Sequence, residues 1–262
     1  MMLRKILLHM DRTRIDNSVI SLREIGDIGL QMELLNVPVY ALNINSFASL
    51  LRGLCRTVSL IRAIRPNVIH TWLHHADLFG TFAAMIAGNP NIAWNIRCAS
   101  LTSDDVPRIN LHLVKLLGWL SSIPRVVVAN SVAGSLAHTQ AGYHPRCWQI
   151  IPNGFDTHLF SPSSDRRAHI REELGVNHAD IIIGIVGRYH PMKGHALFLE
   201  AAKELVKKSS AVRFVMIGRN LDGDNIEILN QINILGLSAK VILLGERKDV
   251  PDLMRGIDIL VC

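Results

Sequence analysis

Several things are missing from this sequence, and each absence removes a class of protein. The four cysteines, Cys55, Cys98, Cys147 and Cys262, are scattered over 262 residues with no C-x-x-C pair. A disulfide framework and a zinc ribbon are thereby excluded, and reduced thiols, as in the cytoplasm, are expected. No helical H-E-x-x-H occurs, and no cysteine neighbours His70, His74 or His75, so no metal is expected. Aromatic residues make up only 5% of the chain and do not interleave with the basic ones, which argues against nucleic acid as a partner. Long apolar runs are absent too. The longest uncharged stretches, Leu78–Ile96 and Val126–Pro145, are broken by Gly, Pro, Asn or Gln, so neither reads as a membrane span. Arg4, Lys5 and Asp11 fall inside a helical pattern where a signal peptide would need an apolar core. There is no internal repeat and no low-complexity tract.

What remains is a well-stocked globular composition, 49% hydrophobic and 19% charged, which excludes disorder. The length suits two medium-sized α/β cores. The formal charge of +6 favours anionic partners such as nucleoside diphosphates or acidic lipid surfaces. Short Val- and Ile-rich runs alternate with amphipathic stretches, the pattern of a parallel sheet covered by helices. The runs fall at Val37–Leu42, Val68–Trp72, Ile92–Arg97, Arg125–Ser131 and Trp148–Pro152, then at Ile181–Arg188, Val212–Gly218, Val241–Gly245 and Ile257–Cys262. Ser46–Ile64 reads as a helix that stops before Arg65-Pro66. Asn153-Gly154 and the polar stretch Ser161–Arg167 mark a junction, giving an N-terminal domain over 1–152 and a C-terminal domain over 153–262. Leu3, Ile6, Leu7 and Met10 have helix spacing with no strand before them, and the last apolar run has no helix after it. The expectation is an N-terminal domain without its first strand and an incomplete C-terminal domain.

The segment that carries the most chemistry is Gly184-Ile-Val-Gly187-Arg188-Tyr-His-Pro191-Met-Lys193-Gly194. A buried strand reaches Gly187, and a helix with Leu197, Ala201 and Leu205 on one face opens after Gly194. Gly187 would let a ligand approach the backbone. Arg188, Lys193 and the free N–H groups of the helix start would hold an anion such as a diphosphate. The alternative is an ordinary basic strand–helix loop. In the first half, His70, His74 and His75 lie at the end of a strand and in the loop after it, where ligands of open α/β sheets gather. His74 is the candidate there for contact with a sugar, while His70 fits a core position. Arg97 and Cys98 end the next strand and are candidate acceptor-side residues. A cysteine nucleophile is not supported, since no base is paired with Cys98 in the sequence.

The segment Gly187-Arg188-Tyr189-His190-Pro191-Met192-Lys193-Gly194 resembles the donor diphosphate-binding segment of the group 1, or family 4, retaining glycosyltransferases. Ile151-Pro152-Asn153-Gly154-Phe155-Asp156-Thr157-His158-Leu159-Phe160-Ser161-Pro162 resembles their interdomain signature, and Val215–Gly218 and Leu244–Met254 resemble later strand ends. The resemblance runs from about Val68 to Cys262 and implies two Rossmann-like domains facing a cleft, the GT-B arrangement. It implies that Gly187, Arg188 and Lys193 bind the diphosphate of a UDP- or GDP-sugar and that Glu246 and Arg247 lie beside the base. Asn153 and Asp156 would shape the interdomain turn. It further implies transfer to a saccharide or lipid-linked acceptor with retained anomeric configuration, with no cofactor or metal and with His74 near the reacting sugar. The family carries a histidine close to Cys98, and a pair of glutamates seven apart would follow Cys262. The helix over Leu111–Leu120 allows peripheral contact with the inner face of a membrane, although packing on the sheet is the simpler reading. Two other readings stay open: a nucleotide-sugar epimerase of the same fold, and a non-catalytic nucleotide-binding remnant.

Overall fold

The structure is a computed structural model that describes residues 2–98, 101 and 108–262. It divides into two compact units, Met1–Gly154 and Phe155–Cys262.

The first unit opens with α1 (Met2–His9), β1 (Val19–Ser21), α2 (Gly26–Glu33) and β2 (Val39–Ala41). β1 and β2 pair in parallel as a two-stranded sheet, and Leu7, Met32 and Val37 form the small core beneath it. β1 is a strand that the sequence reading does not contain. It is three residues long and set among polar neighbours, too short to show any period. α3 (Phe47–Ile64) starts where expected. Ser46 accepts from the Ser49 amide and Ser49 Oγ accepts from the Ser46 amide at 2.8 Å, a reciprocal cap. It ends with Arg65 in the left-handed region (φ 51°), ahead of Pro66.

The rest of the unit runs β3 (Ile69–Trp72), α4 (His74–Ala87), β4 (Ile92–Ile96), α5 (Arg108–Leu120), β5 (Val126–Ala129), α6 (Val132–Gln140) and β6 (Trp148–Ile150). Its four strands are parallel in the order β3-β4-β5-β6. β4 is buried along its whole length, as a strand covered on both faces must be. Trp94, fully buried, keeps its indole N–H satisfied by donating to Thr81 Oγ1 at 2.9 Å. α5 packs Val114 and Leu117 into the core beside it, while Leu116 and Trp119 remain exposed.

The second unit contains α7 (Ser164–Glu173), β7 (Ile181–Val186), α8 (His195–Lys208), β8 (Val212–Ile217), α9 (Ile226–Ile234), β9 (Val241–Leu243), α10 (Val250–Gly256) and β10 (Ile259–Val261). The parallel sheet has the order β10-β7-β8-β9. Residues alternate between two cores, as the strand period of two requires. Ile183, Ile185, Phe214 and Met216 pack with α8 and α9, whereas Ile182, Val215 and Ile217 pack with α7 and α10. Each such side chain contributes about 1.5–3 kcal/mol when fully buried. The chain leaves β7 towards β8 on one side and returns to β10 on the other. The carboxyl end of β7 is therefore the topological switch point, where open α/β sheets bind ligands.

Arg171 braces the unit from beneath. It is 1% exposed and donates to the carbonyls of Gly256, Asn177, His178 and Asp180 as well as to the Asp258 carboxylate. Burial alone would push the Asp258 carboxyl up. The Ile182 amide, Arg167 and Arg171 together hold it below its ordinary value.

Candidate functional site

The donor-side candidates gather at the switch point. A concavity of about 300 Å3 is lined by Val186, Gly187, Arg188, Ile217, Gly218, Arg219, Glu246, Arg247 and Val250. Three strand ends are tied together to form its floor. The Gly187 amide donates to Ile217 O at 2.8 Å, Gly218 to Gly245 O at 2.8 Å, and Gly245 to Leu221 O at 2.7 Å. The Tyr189 amide donates to Arg219 O at 2.9 Å, which fixes the loop after β7 against the loop after β8.

Lys193 lies over Gly187. A Cβ built on Gly187 would meet the Lys193 stem at 3.5–3.8 Å, ordinary van der Waals distance. Lys193 reaches this place through a single 3-10 turn, Pro191–Lys193. His190 caps that turn, its Nδ1 accepting from the Met192 amide at 3.3 Å. Gly194, at φ 69°, then redirects the chain into α8. Arg188, Lys193 and Arg219 are all exposed, and none of their side chains makes a hydrogen bond or ion pair among the described residues. Two adjoining loops that present three unneutralised cations beside a helix start are suited to a polyanion.

Arg247 is different. It lines the same concavity, but its guanidinium grips Asp249 at 2.8 and 2.6 Å and Glu173 at 2.9 Å. Those hydrogen bonds, first to Asp249 and then to Glu173, raise its pKa and fix it as a bracket for the loop. Glu246 is exposed at the rim.

The sequence reading lacks two members of this site. Arg219 follows a strand end that it does mark, yet has no motif of its own. Gly218 is the tightest point of the whole site. At φ 148° its Cβ would lie 2.2 Å from Gly187 O and 2.9 Å from the Arg188 amide nitrogen. A second, shallow concavity beside α7, lined by Asp165, His169, Glu172 and His178 among others, gathers none of the sequence candidates.

The first unit holds a separate cluster at the carboxyl ends of β3 and β4. His74 is the first residue of α4, and Leu73 before it has φ 76° and ψ 153°, a backbone region that non-glycine residues almost never occupy. His74 Nε2 lies 3.1 Å from His138 Nε2, and Cys98 Sγ lies 3.9 Å from the same His138 atom. His138, fully buried on α6, is a partner that the sequence reading does not contain. Burial, followed by the charges of His138 and His75, lowers the His74 pKa to about 4. Burial also pushes the Cys98 thiol up. Asp77 is wholly buried and accepts from Thr71 Oγ1 at 2.5 Å. Burial raises its carboxyl to about 8 against the opposing hydrogen bonds from Thr71 and the Asn95 amide.

Arg97 is set apart from these buried groups. Its guanidinium stands 5.3 Å over the Trp72 ring and donates to Asn153 Oδ1. Asp156 Oδ1 accepts from the His158 and Leu159 amides at 3.0 and 3.2 Å, the turn-forming role expected of it. His70 lies on β3 with its ring beside Trp72 and its Nε2 3.4 Å from Asn95 Nδ2. Ala99 and Ser100, which follow Cys98, lie outside the described residues.

These features define a class: two α/β units with parallel sheets, one of them carrying a cationic glycine loop at its switch point. The fold is that of the GT-B glycosyltransferases. Over 98% of this chain and 68% of the other, it superposes with a TM-score of 0.80 and 26% identity on Anabaena Alr3699/HepE, whose crystal structure is a complex with UDP-glucose. A glycosyltransferase from Rickettsia africae, 18% identical over 93% of this chain and 63% of that one, has the same fold with a TM-score of 0.75. Residues 166–262, most of the C-terminal unit, match the family model "Glycosyl transferases group 1". A curated relative, the UDP-Gal:alpha-D-GlcNAc-diphosphoundecaprenol alpha-1,3-galactosyltransferase of Escherichia coli, is 24% identical over 230 residues, 79% of this chain. The chain spans little more than half the length of the curated relatives it matches, 58% of this one and 53% of the next. Among the described residues, no helix is long and apolar enough to cross a membrane.

Proposed function

We propose that this chain carries the donor-binding half-reaction machinery of a retaining glycosyltransferase that takes its sugar from a nucleoside-diphosphate donor. The observation that carries the reading is the pairing of Arg188 and Lys193 over Gly187 at the switch point, with the start of α8 directly after. Negative charge builds on the departing diphosphate in the transition state. Cations already in position stabilise it without reorganising at the moment of reaction. Arg219, on the neighbouring loop, is a third cation for the same group.

The likeness to a UDP-glucose complex and to a UDP-galactose enzyme supports uridine as the base. The base would lie towards Glu246, with Arg247 holding that loop in shape through Asp249 and Glu173. Transfer would proceed by attack of the acceptor hydroxyl on the face the diphosphate leaves. The new C–O bond forms as the bond to the diphosphate breaks, and the hydroxyl proton passes to a departing phosphate oxygen. The proposed acceptor is a saccharide or a lipid-linked saccharide, in surface polysaccharide or glycolipid synthesis. Arg97 and Trp72 offer a cationic, stackable surface on the acceptor-side unit. His74 is given a positioning role, since its Nε2 already meets His138.

Calorimetric titration of the 262-residue chain with UDP, GDP and inorganic phosphate tests the donor half. Uridine diphosphate binding more tightly than the others is the expected outcome. Absence of binding by any nucleoside diphosphate would sink the assignment. The anomeric configuration of the product, read by proton NMR from the whole protein, tests retention.

A further inference from the structure

We propose that His74, Cys98 and His138 form a site for a divalent cation of the zinc class, separate from the donor site. The three side chains come from three separate places in the chain: the start of α4, the second residue after β4, and the last turn of α6. Their ligating atoms all lie within 4.8 Å of one another, with His74 Nε2 3.1 Å and Cys98 Sγ 3.9 Å from His138 Nε2. Donors on a tetrahedral zinc ion, at Zn–N of about 2.0–2.1 Å and Zn–S of about 2.3 Å, stand roughly 3.3–3.8 Å apart. The two separations from His138, 3.1 and 3.9 Å, already bracket that spacing.

The surroundings are prepared for ligation. His138 Nδ1 is 2.8 Å from Gly134 O, and a carbonyl can only accept. Nδ1 therefore carries the proton, and the Nε2 lone pair faces His74 and Cys98. The ring is wedged by Tyr143, edge-on at 4.9 Å. A Cβ at Gly134 would stand 3.2 Å from the Cys98 carbonyl oxygen, so the glycine lets the first turn of α6 press against the end of β4. That approach sets the distance from His138 to Cys98. At the third corner, the Gly-like backbone of Leu73 aims His74 inward. Two imidazoles and a thiol, with no carboxylate among the three, favour Zn2+ or Co2+ over Mg2+ or Ca2+. On binding, the Cys98 thiol loses its proton to solvent, the His74 proton moves from Nε2, where it faces the His138 lone pair, to Nδ1, and the freed sulfur and nitrogen bond to the cation. With three protein ligands, the fourth position is left for water.

No motif announces this site. His138 is 64 residues from His74 and 40 from Cys98, which is why the sequence leads to the opposite expectation.

The test is Co2+ titration of the chelator-stripped 262-residue chain, followed by absorption. A thiolate-to-cobalt charge-transfer band, with the intense visible bands of a tetrahedral ion, is expected at one equivalent, and Zn2+ should displace them. Cys98→Ser should abolish the charge-transfer band, while Cys55→Ser, at an exposed cysteine, should leave it intact. His138→Ala should weaken Co2+ binding at least tenfold. Because His138 is buried, its loss can unfold the chain, and the near-isosteric Cys98→Ser variant then decides alone. Absence of a charge-transfer band in the parent chain would overturn the site, and so would a band that survives in Cys98→Ser. Neither outcome touches the donor assignment, which rests on UDP binding.

Discussion

Replacing Gly218 with alanine places a methyl group 2.2 Å from Gly187 O, 2.5 Å from the Gly187 carbonyl carbon and 2.9 Å from the Arg188 nitrogen. All three are backbone atoms, so no side chain can swing aside. The loop after β7 must move by close to 1 Å, or β8 must give way at its end. Two costs combine. Alanine at φ 148° is in a backbone region that costs about 1–3 kcal/mol, and forcing volume into a packed contact adds about 1–3 kcal/mol. The sum is a loss of about 2–6 kcal/mol in the stability of the C-terminal unit. Gly187→Ala is the control that makes the test discriminating. Its new methyl would meet only the flexible Lys193 stem at 3.5 Å or more, and its φ is not positive. It should cost less than about 1 kcal/mol in stability, yet it should weaken UDP binding if the diphosphate approaches Gly187. Urea denaturation of both variants, followed by titration of any folded variant with UDP, separates the two effects. Equal stabilities for Gly218→Ala and the parent would refute the claim that the loops are locked together at this glycine.

Leu73→Gly should stabilise the N-terminal unit by about 0.5–2 kcal/mol, since relief of a strained backbone of about 1–3 kcal/mol outweighs the chain entropy of glycine, about 0.5–1 kcal/mol. Leu73 is exposed, so little packing is lost. A lower denaturation midpoint would show the conformation to be unstrained. Asp77 gives a pH signature. Its folded pKa of about 8 lies above the unfolded value, so the folded chain holds an extra proton between pH ~4 and ~8 and loses stability as pH rises through that window. The slope should approach about 1.4 kcal/mol per pH unit, and Asp77→Asn, which keeps an oxygen for Thr71, should flatten it. An unchanged slope in Asp77→Asn would remove Asp77 as its source. Arg171→Ala should cost about 3–5 kcal/mol, because it removes a partner from several buried carbonyls and one of two guanidinium partners from Asp258. A loss below 1 kcal/mol would show that solvent replaces the guanidinium freely.

The parts of the fold that were legible in the sequence are those set by local pattern. β7 and β8 show as continuous apolar runs because both faces are buried, and α3 shows because Ser46 and Pro66 punctuate it. Most strand ends extend one or two residues too far in the sequence, as at Ile181–Arg188, where pairing stops at Val186. β1 could not be seen, since three residues carry no period. In the donor loop, Gly187, Arg188 and Lys193 were legible from one contiguous segment. The weight of Gly218 was not, because the requirement comes from Gly187 O on another strand. The same holds for His138, an unremarkable helical residue until α6 seats it against His74 and Cys98.

The most direct test of the account is the binding of UDP to the parent chain and to Arg188→Ala and Lys193→Ala, measured by calorimetry at fixed low salt. Each lost charge-assisted contact is worth about 1.5–3 kcal/mol, so each variant should bind roughly 10- to 150-fold more weakly with its stability unchanged. Unchanged affinity in both folded variants would contradict the placement of the donor diphosphate over Gly187.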